Sequence, residues 1–134
     1  QVATDYPTTP PGRAAAYHSA ATLLLMGRAA EAEAAFASAL TAVGDTLYGP
    51  MCRLGRAESQ IAQGKFDEAI TALTALAADR DGILPVDGIL MQLGRASLKA
   101  EKTSEARAAF KRVVDEFPES PYAADARQQL TLLG

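Results

Sequence analysis

The residues of this sequence that could do chemistry are one histidine, His18, one cysteine, Cys52, and scattered carboxylates. A zinc site needs three or four clustered ligands, and nucleophilic catalysis needs a base beside its nucleophile. Neither pattern surrounds His18 or Cys52, and carboxylates such as Asp115 lie at predicted helix ends, where solvated charge is expected. No glycine-rich phosphate-binding loop occurs. The sequence therefore predicts no catalytic residue, metal site, cofactor or small-molecule substrate, and we do not expect an enzyme.

Composition narrows the class of protein further. The 134 residues suit one domain, carry a net charge of −3 and contain no run of lysines and arginines, which argues against nucleic acid as a partner. No stretch reaches the roughly 18–20 apolar residues of a membrane span, so this segment itself is not expected to contact a membrane. Apolar residues make up 49% of the chain, many of them alanine, and tryptophan is absent. This composition favours closely packed helices.

The elements that would position a functional surface repeat every 37 residues. The repeat is marked by three identical dipeptides, Glu31-Ala32, Glu68-Ala69 and Glu105-Ala106. Four residues after each alanine comes a large apolar residue, and twelve before it a very small one: Phe36, Leu73 and Phe110, and Ala20, Ala57 and Gly94. A fixed period of this length is typical of solenoids, in which each unit packs on its neighbours.

Helix start and stop signals predict seven helices. Gly27 and Gly64 end the first and third, Gly44-Asp45 and Asp81-Gly82 form turns, and Glu101 stands where the other corners have glycine. That last corner is expected to be either strained or differently shaped. The predicted helices are Pro10–Met26, Ala29–Val43, Leu47–Gln63, Phe66–Asp79, Leu84–Ala100, Thr103–Glu116 and 120–133.

The second helix of each repeat has the clearer apolar stripe, at i, i+3, i+4, i+7 and i+8. Its predicted inward residues are Ala32, Ala35, Phe36, Ala39 and Leu40; Ala69, Ala72, Leu73, Leu76 and Ala77; and Ala106, Ala109, Phe110, Val113 and Val114. In the first helix of repeat two, Arg53, Arg56 and Gln60 are predicted to lie on other faces, which leaves a narrow buried stripe.

These residues resemble the tetratricopeptide repeat family, whose pattern has a small residue in the first helix, a glycine at the hairpin and A-x-x-x-F in the second helix. The matching residues are Ala57, Gly64 and Ala69-x-x-x-Leu73, then Leu93-Gly94, Ala106-x-x-x-Phe110 and Pro118. The family's tryptophan is missing, and the period is 37 rather than 34. We therefore expect an all-α, right-handed α-solenoid of three hairpins (about 9–45, 46–82 and 83–119), a tail at 1–8 and a capping helix at 120–133.

A narrower resemblance is carried by the segment from Phe117 to Arg127 and its echo from Tyr6 to Pro10. They look like the inter-repeat signature of bacterial cell-envelope members: the ancillary translocon subunit, the TolA-binding cell-division coordinator and the barrel-assembly lipoprotein. This resemblance implies a periplasmic or membrane-anchored extracytoplasmic protein, with the cytoplasm as the alternative. Because the sequence starts at Gln1 without methionine, we expect a processed product or fragment, with any anchor outside it.

In this family the first helices line a concave surface. The resemblance places there the predicted partner-binding residues Tyr17, His18, Met51, Leu54, Glu58, Met91, Gln92, Arg95, Lys99 and Gln128. The carboxylate clamp of the family's chaperone-tail binders is absent, because its positions hold Tyr17, Ala21, Gly55, Gly88 and Gln92. A groove for an apolar or amphipathic segment is one interpretation. The other is that Tyr17, Leu54 and Met91 pack between helices.

The predicted function is a non-enzymatic scaffold or adaptor that binds a protein or peptide segment in a bacterial cell-envelope assembly or secretion system. One alternative is a self-association module that forms a homo-oligomer. Another is a regulatory fragment of a larger enzyme or secretion protein.

Overall fold

The computed structural model describes residues 10–43, 48–79 and 81–134, and every regular element in these ranges is an α-helix. The helices are α1 (Pro10–Leu25), α2 (Ala29–Val43), α3 (Tyr48–Ala62), α4 (Phe66–Ala78), α5 (Val86–Lys99), α6 (Thr103–Glu116) and α7 (Ala123–Leu133). The predicted all-α class with seven helices is confirmed. The turn at Gly44-Asp45 and the tail at 1–8 lie outside the described residues, and the right-handed stacking stays a prediction.

Two helices begin later than the sequence predicts, each because of a proline. α5 begins at Val86 rather than Leu84, because Pro85 is the N-cap residue and has extended backbone, with φ −72° and ψ 110°. α7 begins at Ala123 rather than 120, because the residues around Pro121 form a turn. In that turn the Ser120 hydroxyl oxygen accepts a hydrogen bond from the Tyr122 amide at 3.0 Å. α2 and α6 have the predicted bounds.

The corners after α1, α3 and α5 share one hydrogen-bond pattern. At the first, the Arg28 amide donates to the Leu23 carbonyl at 2.9 Å. The equivalent bonds run from Lys65 to Gln60 and from Lys102 to Ser97, both at 2.8 Å. These are the long bonds of a Schellman motif, which needs one left-handed residue. At the first two corners that residue is Gly27 or Gly64, both at φ 80°, and at the third it is Glu101, at φ 61°. The third corner therefore has the same shape as the other two, and its backbone is strained because Glu101 has a Cβ atom.

The chain divides into two compact units, Gln1–Lys65 and Phe66–Gly134. In the first unit α2 packs against α1 and α3, and α1 also contacts α3. The apolar core of this unit consists of Ala20, Ala32, Phe36, Ala39 and Cys52. A Cβ atom at Gly55 would lie under 3.0 Å from three ring carbons of Phe36, so α3 approaches α2 as closely as it does because residue 55 has no side chain.

In the second unit α5 packs against α4 and α6, and α6 packs against α7. The inward face predicted for α6 is confirmed at four positions, because Ala106, Ala109, Phe110 and Val113 are buried. That of α4 is confirmed at three, Ala69, Leu73 and Ala77. α5 is the most buried helix of this unit and contributes Val86, Ile89, Leu90, Met91, Gly94, Ala96 and Ser97.

The boundary between the units falls after Lys65, inside the second predicted repeat, between its two helices. The repeat boundaries at about 9–45, 46–82 and 83–119 stay predictions.

Candidate functional site

In the first unit the predicted partner-binding residues lie on α1 and α3. His18 is exposed, and Tyr17, Met51, Leu54 and Glu58 are partly buried. Tyr17 packs against the core of the unit, which supports the interpretation of this residue as part of the packing, although part of its side chain stays open to solvent.

Tyr17 is surrounded by other aromatic rings. Its ring centroid lies 5.2 Å from that of His18, in an edge-to-face arrangement, and 5.9 Å from that of Tyr48 at the start of α3. The ring of Phe36 lies 6.0 Å away on the core side. Such pairs contribute about 0.5–1.5 kcal/mol each beyond the area they bury. The group of Tyr17, His18 and Tyr48 is called the Tyr17 cluster below. Tyr48 was not among the predicted site residues, because the sequence did not show that the start of α3 meets α1.

The pKa of the Tyr17 hydroxyl is raised. Burial is the main cause that raises the pKa of the Tyr17 hydroxyl, and the negative charge of Glu58 raises this pKa further, with a smaller contribution from Cys52. Cys52 itself is fully buried, and burial raises the pKa of its thiol to about 11, against a small opposing effect of Arg53. The thiol is therefore protonated and unreactive at neutral pH.

A polar cluster that the sequence did not predict fastens α2 to the end of α3. The Glu33 carboxylate accepts hydrogen bonds from the side-chain amides of Gln63 at 2.8 Å and Gln60 at 3.2 Å, and from the Lys65 ammonium at 3.0 Å. These donors, Gln63 first, lower the pKa of the Glu33 carboxyl. Gln60 is buried, so the prediction that it lies on a different face from the buried stripe is wrong; its amide reaches Glu33 across the helix pair. Nothing in the sequence indicates that these residues, about 30 positions apart, form hydrogen bonds with each other.

In the second unit the predicted residues divide between core and surface. Met91 is only 1% exposed, so its proposed place on the floor of a groove is wrong; its side chain belongs to the core. Gln92 is partly buried, and Arg95, Lys99 and Gln128 are exposed. The register that predicted these positions counts helical turns and does not show on which side of α5 the neighbouring helices pack.

The exposed cations of α5 are held by neighbours. The Arg95 guanidinium donates to the Asp125 carboxylate of α7 at 2.7 Å, and the Lys99 ammonium lies 5.9 Å from the centre of the Phe66 ring of α4. Both Arg95 and Asp125 are solvent-accessible, so this ion pair orients the side chains more than it stabilises the fold. Of these two exposed cations, Arg95 is therefore already paired with a carboxylate.

The start of α5 is fastened to the turn before α7. The Asp87 carboxylate accepts hydrogen bonds from the Ser120 hydroxyl at 2.7 Å and from the Gly88 amide at 2.9 Å. A Cβ atom at Gly88 would lie 3.6 Å from the ring of Tyr122, in ordinary contact. The ring of Tyr122 therefore lies next to residue 88. The contact of Asp87 with Ser120 was not predicted from the sequence.

The described residues offer little else for chemistry. Within 10–43, 48–79 and 81–134 no group of three or more histidine, cysteine, aspartate or glutamate side chains is arranged to hold a metal ion. Over the same ranges, no helix combines the length and apolar character required to cross a membrane. That the predicted partner-binding residues form one surface stays a prediction, and the buried Met91 is no longer part of it.

Comparison with known families gives one match. The family model described as Tetratricopeptide repeat matches residues 54–121, which is half of the chain. These residues include the small and large apolar pairs of the second and third repeats and the turn before α7. A search of curated proteins gives no match.

Proposed function

Because the chain belongs to the tetratricopeptide repeat family, we propose that it is a non-enzymatic scaffold or adaptor that binds a segment of another protein. Repeats of this family generally mediate protein–protein interaction and are typically not enzymes. The match over residues 54–121 is the observation that carries the proposal.

The described surfaces support this proposal. Each unit has side chains with solvent-accessible surface that could contact a partner: the Tyr17 cluster in the first unit, and Arg95 and Lys99 of α5 with Gln128 of α7 in the second. Aromatic and arginine side chains are the residue types most often found at the energetic centres of protein interfaces.

The proposed setting is a bacterial cell-envelope assembly or secretion system, with the domain outside the cytoplasm. The segment from Phe117 to Arg127 supports it through its resemblance to the inter-repeat signature of envelope proteins. In the structure this segment comprises the turn that joins α6 to α7 and the first five residues of α7, and the Ser120 hydroxyl of the turn donates a hydrogen bond to Asp87.

The experiment is a pull-down from bacterial envelope extract, with cytosolic extract in parallel. The bait is compared with the double variant His18→Glu/Lys99→Glu, which changes one exposed first-helix residue in each unit. Ala34→Glu/Ala108→Glu is the matched control, because both alanines are exposed on second helices. We expect a partner that the first variant loses and the control keeps. A partner lost equally by both variants would contradict first-helix binding, and the absence of any partner from both extracts would contradict the adaptor function.

Self-association is the second candidate, favoured by exposed apolar residues. Leu25 is 88% exposed and Met26 60%, side by side at the end of α1, and Leu132 of α7 is also exposed. Sedimentation equilibrium between about 10 µM and 1 mM tests it. Self-association is favoured if the mass of the parent rises with concentration and the variant Leu25→Ser/Met26→Ser stays at the monomer mass over the same range.

A further inference from the structure

Two arginines of α3 lie one helical turn apart on the surface of the first unit. Arg53 and Arg56 are both exposed, and residues three apart on a helix have Cβ atoms about 5–6 Å from each other. The helix that carries them is fixed in place, because Cys52 is fully buried in the core and Gly55 lies against the ring of Phe36. The two guanidinium groups therefore project from a rigid base.

Neither of these arginine side chains has an ion-pair or hydrogen-bond partner in the part of the chain that the structure describes. The described acids of the first unit are engaged elsewhere: Glu31 pairs with Arg28, Glu33 accepts hydrogen bonds from three side chains, and Glu58 has an interaction of its own. Most of the other described cations bond a carboxylate of the chain, namely Arg28, Lys65, Arg95, Lys102, Lys111 and Arg112. The pair on α3 thus keeps its positive charge without compensation from the described acids.

The third repeat has leucines at the equivalent positions. Leu90 and Leu93, each 37 residues further along the chain, are buried and partly buried. The second repeat therefore has charge that solvent reaches where the third has apolar packing, and neither arginine belongs to the apolar core of the first unit. Arginine is also among the residue types most often found at the energetic centres of protein interfaces.

We propose that Arg53 and Arg56 bind an acidic segment of a partner protein through two of its carboxylates. This inference rests on the proposed function and specifies the chemistry of the partner at one surface. A guanidinium group binds a carboxylate through two parallel hydrogen bonds. Side chains two residues apart in an extended segment lie on one face, about 6.6 Å apart, which is close to the spacing of the two arginines. One carboxylate can therefore meet each arginine.

The probe is an acetylated and amidated pentapeptide of alternating glycine and glutamate, with glycine at both ends. Matched peptides have glutamine or lysine in place of glutamate. Binding is followed by the NMR shifts of the backbone amides of α3 and of the side-chain Nε–H groups of both arginines, during titration of the full chain. We expect a saturable shift with the glutamate peptide, a weaker response to the glutamine peptide and none to the lysine peptide. Salt should weaken binding of the glutamate peptide, because both arginines are exposed.

Substitution of each arginine tests whether the pair binds the peptide. Arg53→Gln and Arg56→Gln each remove one charge at an exposed position, so the fold should persist, which circular dichroism checks. Each should weaken binding of the glutamate peptide about two- to fivefold, and the double variant should weaken it further. Arg127→Gln is the matched control and should leave binding unchanged. Arg127 is an exposed arginine of α7 that likewise forms no ion pair with the described residues.

Equal shifts with the glutamate and glutamine peptides, no saturable shift, or unchanged affinity in the double variant would each overturn the inference. A saturable shift of the same signals with inorganic phosphate, but none with the glutamate peptide, would also overturn it, because the pair would then be a phosphate site. The proposed function fails separately. If the pull-down yields a partner whose binding depends on the first helices but the glutamate peptide does not bind, the adaptor function stands and the acidic-segment site does not.

Discussion

Gly94 of α5 lies against the ring of Phe110 of α6. A Cβ atom at residue 94 would be 2.6 Å from two carbons of that ring, which is closer than real Cβ atoms approach other atoms. Phe110 is fully buried, so its ring has no free space into which it could move. The distance between α5 and α6 at this point is therefore set by the absence of one methyl group.

Gly94→Ala should lower the free energy of unfolding by about 1–3 kcal/mol, because the added methyl group overpacks the core against Phe110. Urea denaturation followed by circular dichroism measures this change. Gly88→Ala, on the same helix, is the matched control: its Cβ atom would meet Tyr122 at 3.6 Å, and alanine favours helix, so stability should rise by up to about 1 kcal/mol. Equal effects at the two positions would contradict the described packing of α5 on α6.

Glu101→Gly should raise the free energy of unfolding by up to about 1 kcal/mol. The left-handed backbone at φ 61° strains any residue with a Cβ atom, and the greater freedom of glycine in the unfolded chain offsets part of the gain. Glu101→Ala separates the effect of backbone strain on stability from the effect of the charge, since it removes the carboxylate but keeps the Cβ atom. If the alanine variant is as stable as the glycine variant, the charge and not the backbone is the cause.

Glu33→Gln should lower the free energy of unfolding at pH 7 by about 1 kcal/mol, because three donors would then face an amide instead of a carboxylate. The folded-state pKa of Glu33 is below its ordinary value of 4.5. The stabilisation is therefore fully present above pH 4.5 and is lost as the pH falls through the lower folded-state value.

Denaturation curves of the parent and Glu33→Gln at several pH values between 7 and 2 measure this difference, which should shrink in acid. Glu31→Gln is the control: its carboxylate forms an ion pair with Arg28 at 2.6 Å but is exposed, and its loss should change stability little. A parent–variant difference that is the same at pH 7 and pH 2 would exclude the ionised carboxylate as its source.

Cys52 should not react with a thiol-specific disulfide reagent at pH 8 until the protein unfolds. Its thiol is buried, and its pKa is raised from the ordinary value of 9.0 to about 11. Because the folded state retains the thiol proton between these two values, stability should fall as the pH rises from 9 to 11. The reaction in strong denaturant gives the full-rate reference, and a comparable rate in native buffer would show that the thiol is accessible.

Helix positions were predictable because the signals are local. α2 and α6 begin and end where the sequence indicates, and Gly27 and Gly64 have the left-handed backbone expected of a helix end. The burial of Phe36 and Phe110 follows from the apolar stripe. These features depend on residues within one or two helical turns of each other.

The site was less predictable, because it depends on which helices meet. The period gives Met91 the same position in its repeat as Tyr17 has in the first, yet Met91 is buried and Tyr17 is partly accessible. Contacts between distant residues, such as Gln63 with Glu33 or Ser120 with Asp87, leave no mark on hydropathy or spacing. The turn around Pro121 also makes α7 begin at Ala123 rather than at Ser120, where the repeat predicts its start.

Phe36 and Phe110 occupy the same position of the 37-residue repeat, but the glycines that make room for them differ. Gly55 follows Phe36 in the chain, on α3, whereas Gly94 precedes Phe110, on α5. Copying the third repeat into the second would replace Gly55 by glutamine, the residue at 92, and drive a side chain into the ring of Phe36. The repeats are therefore not interchangeable parts, and a consensus version of this chain would have to be designed with each phenylalanine and its glycine as a unit.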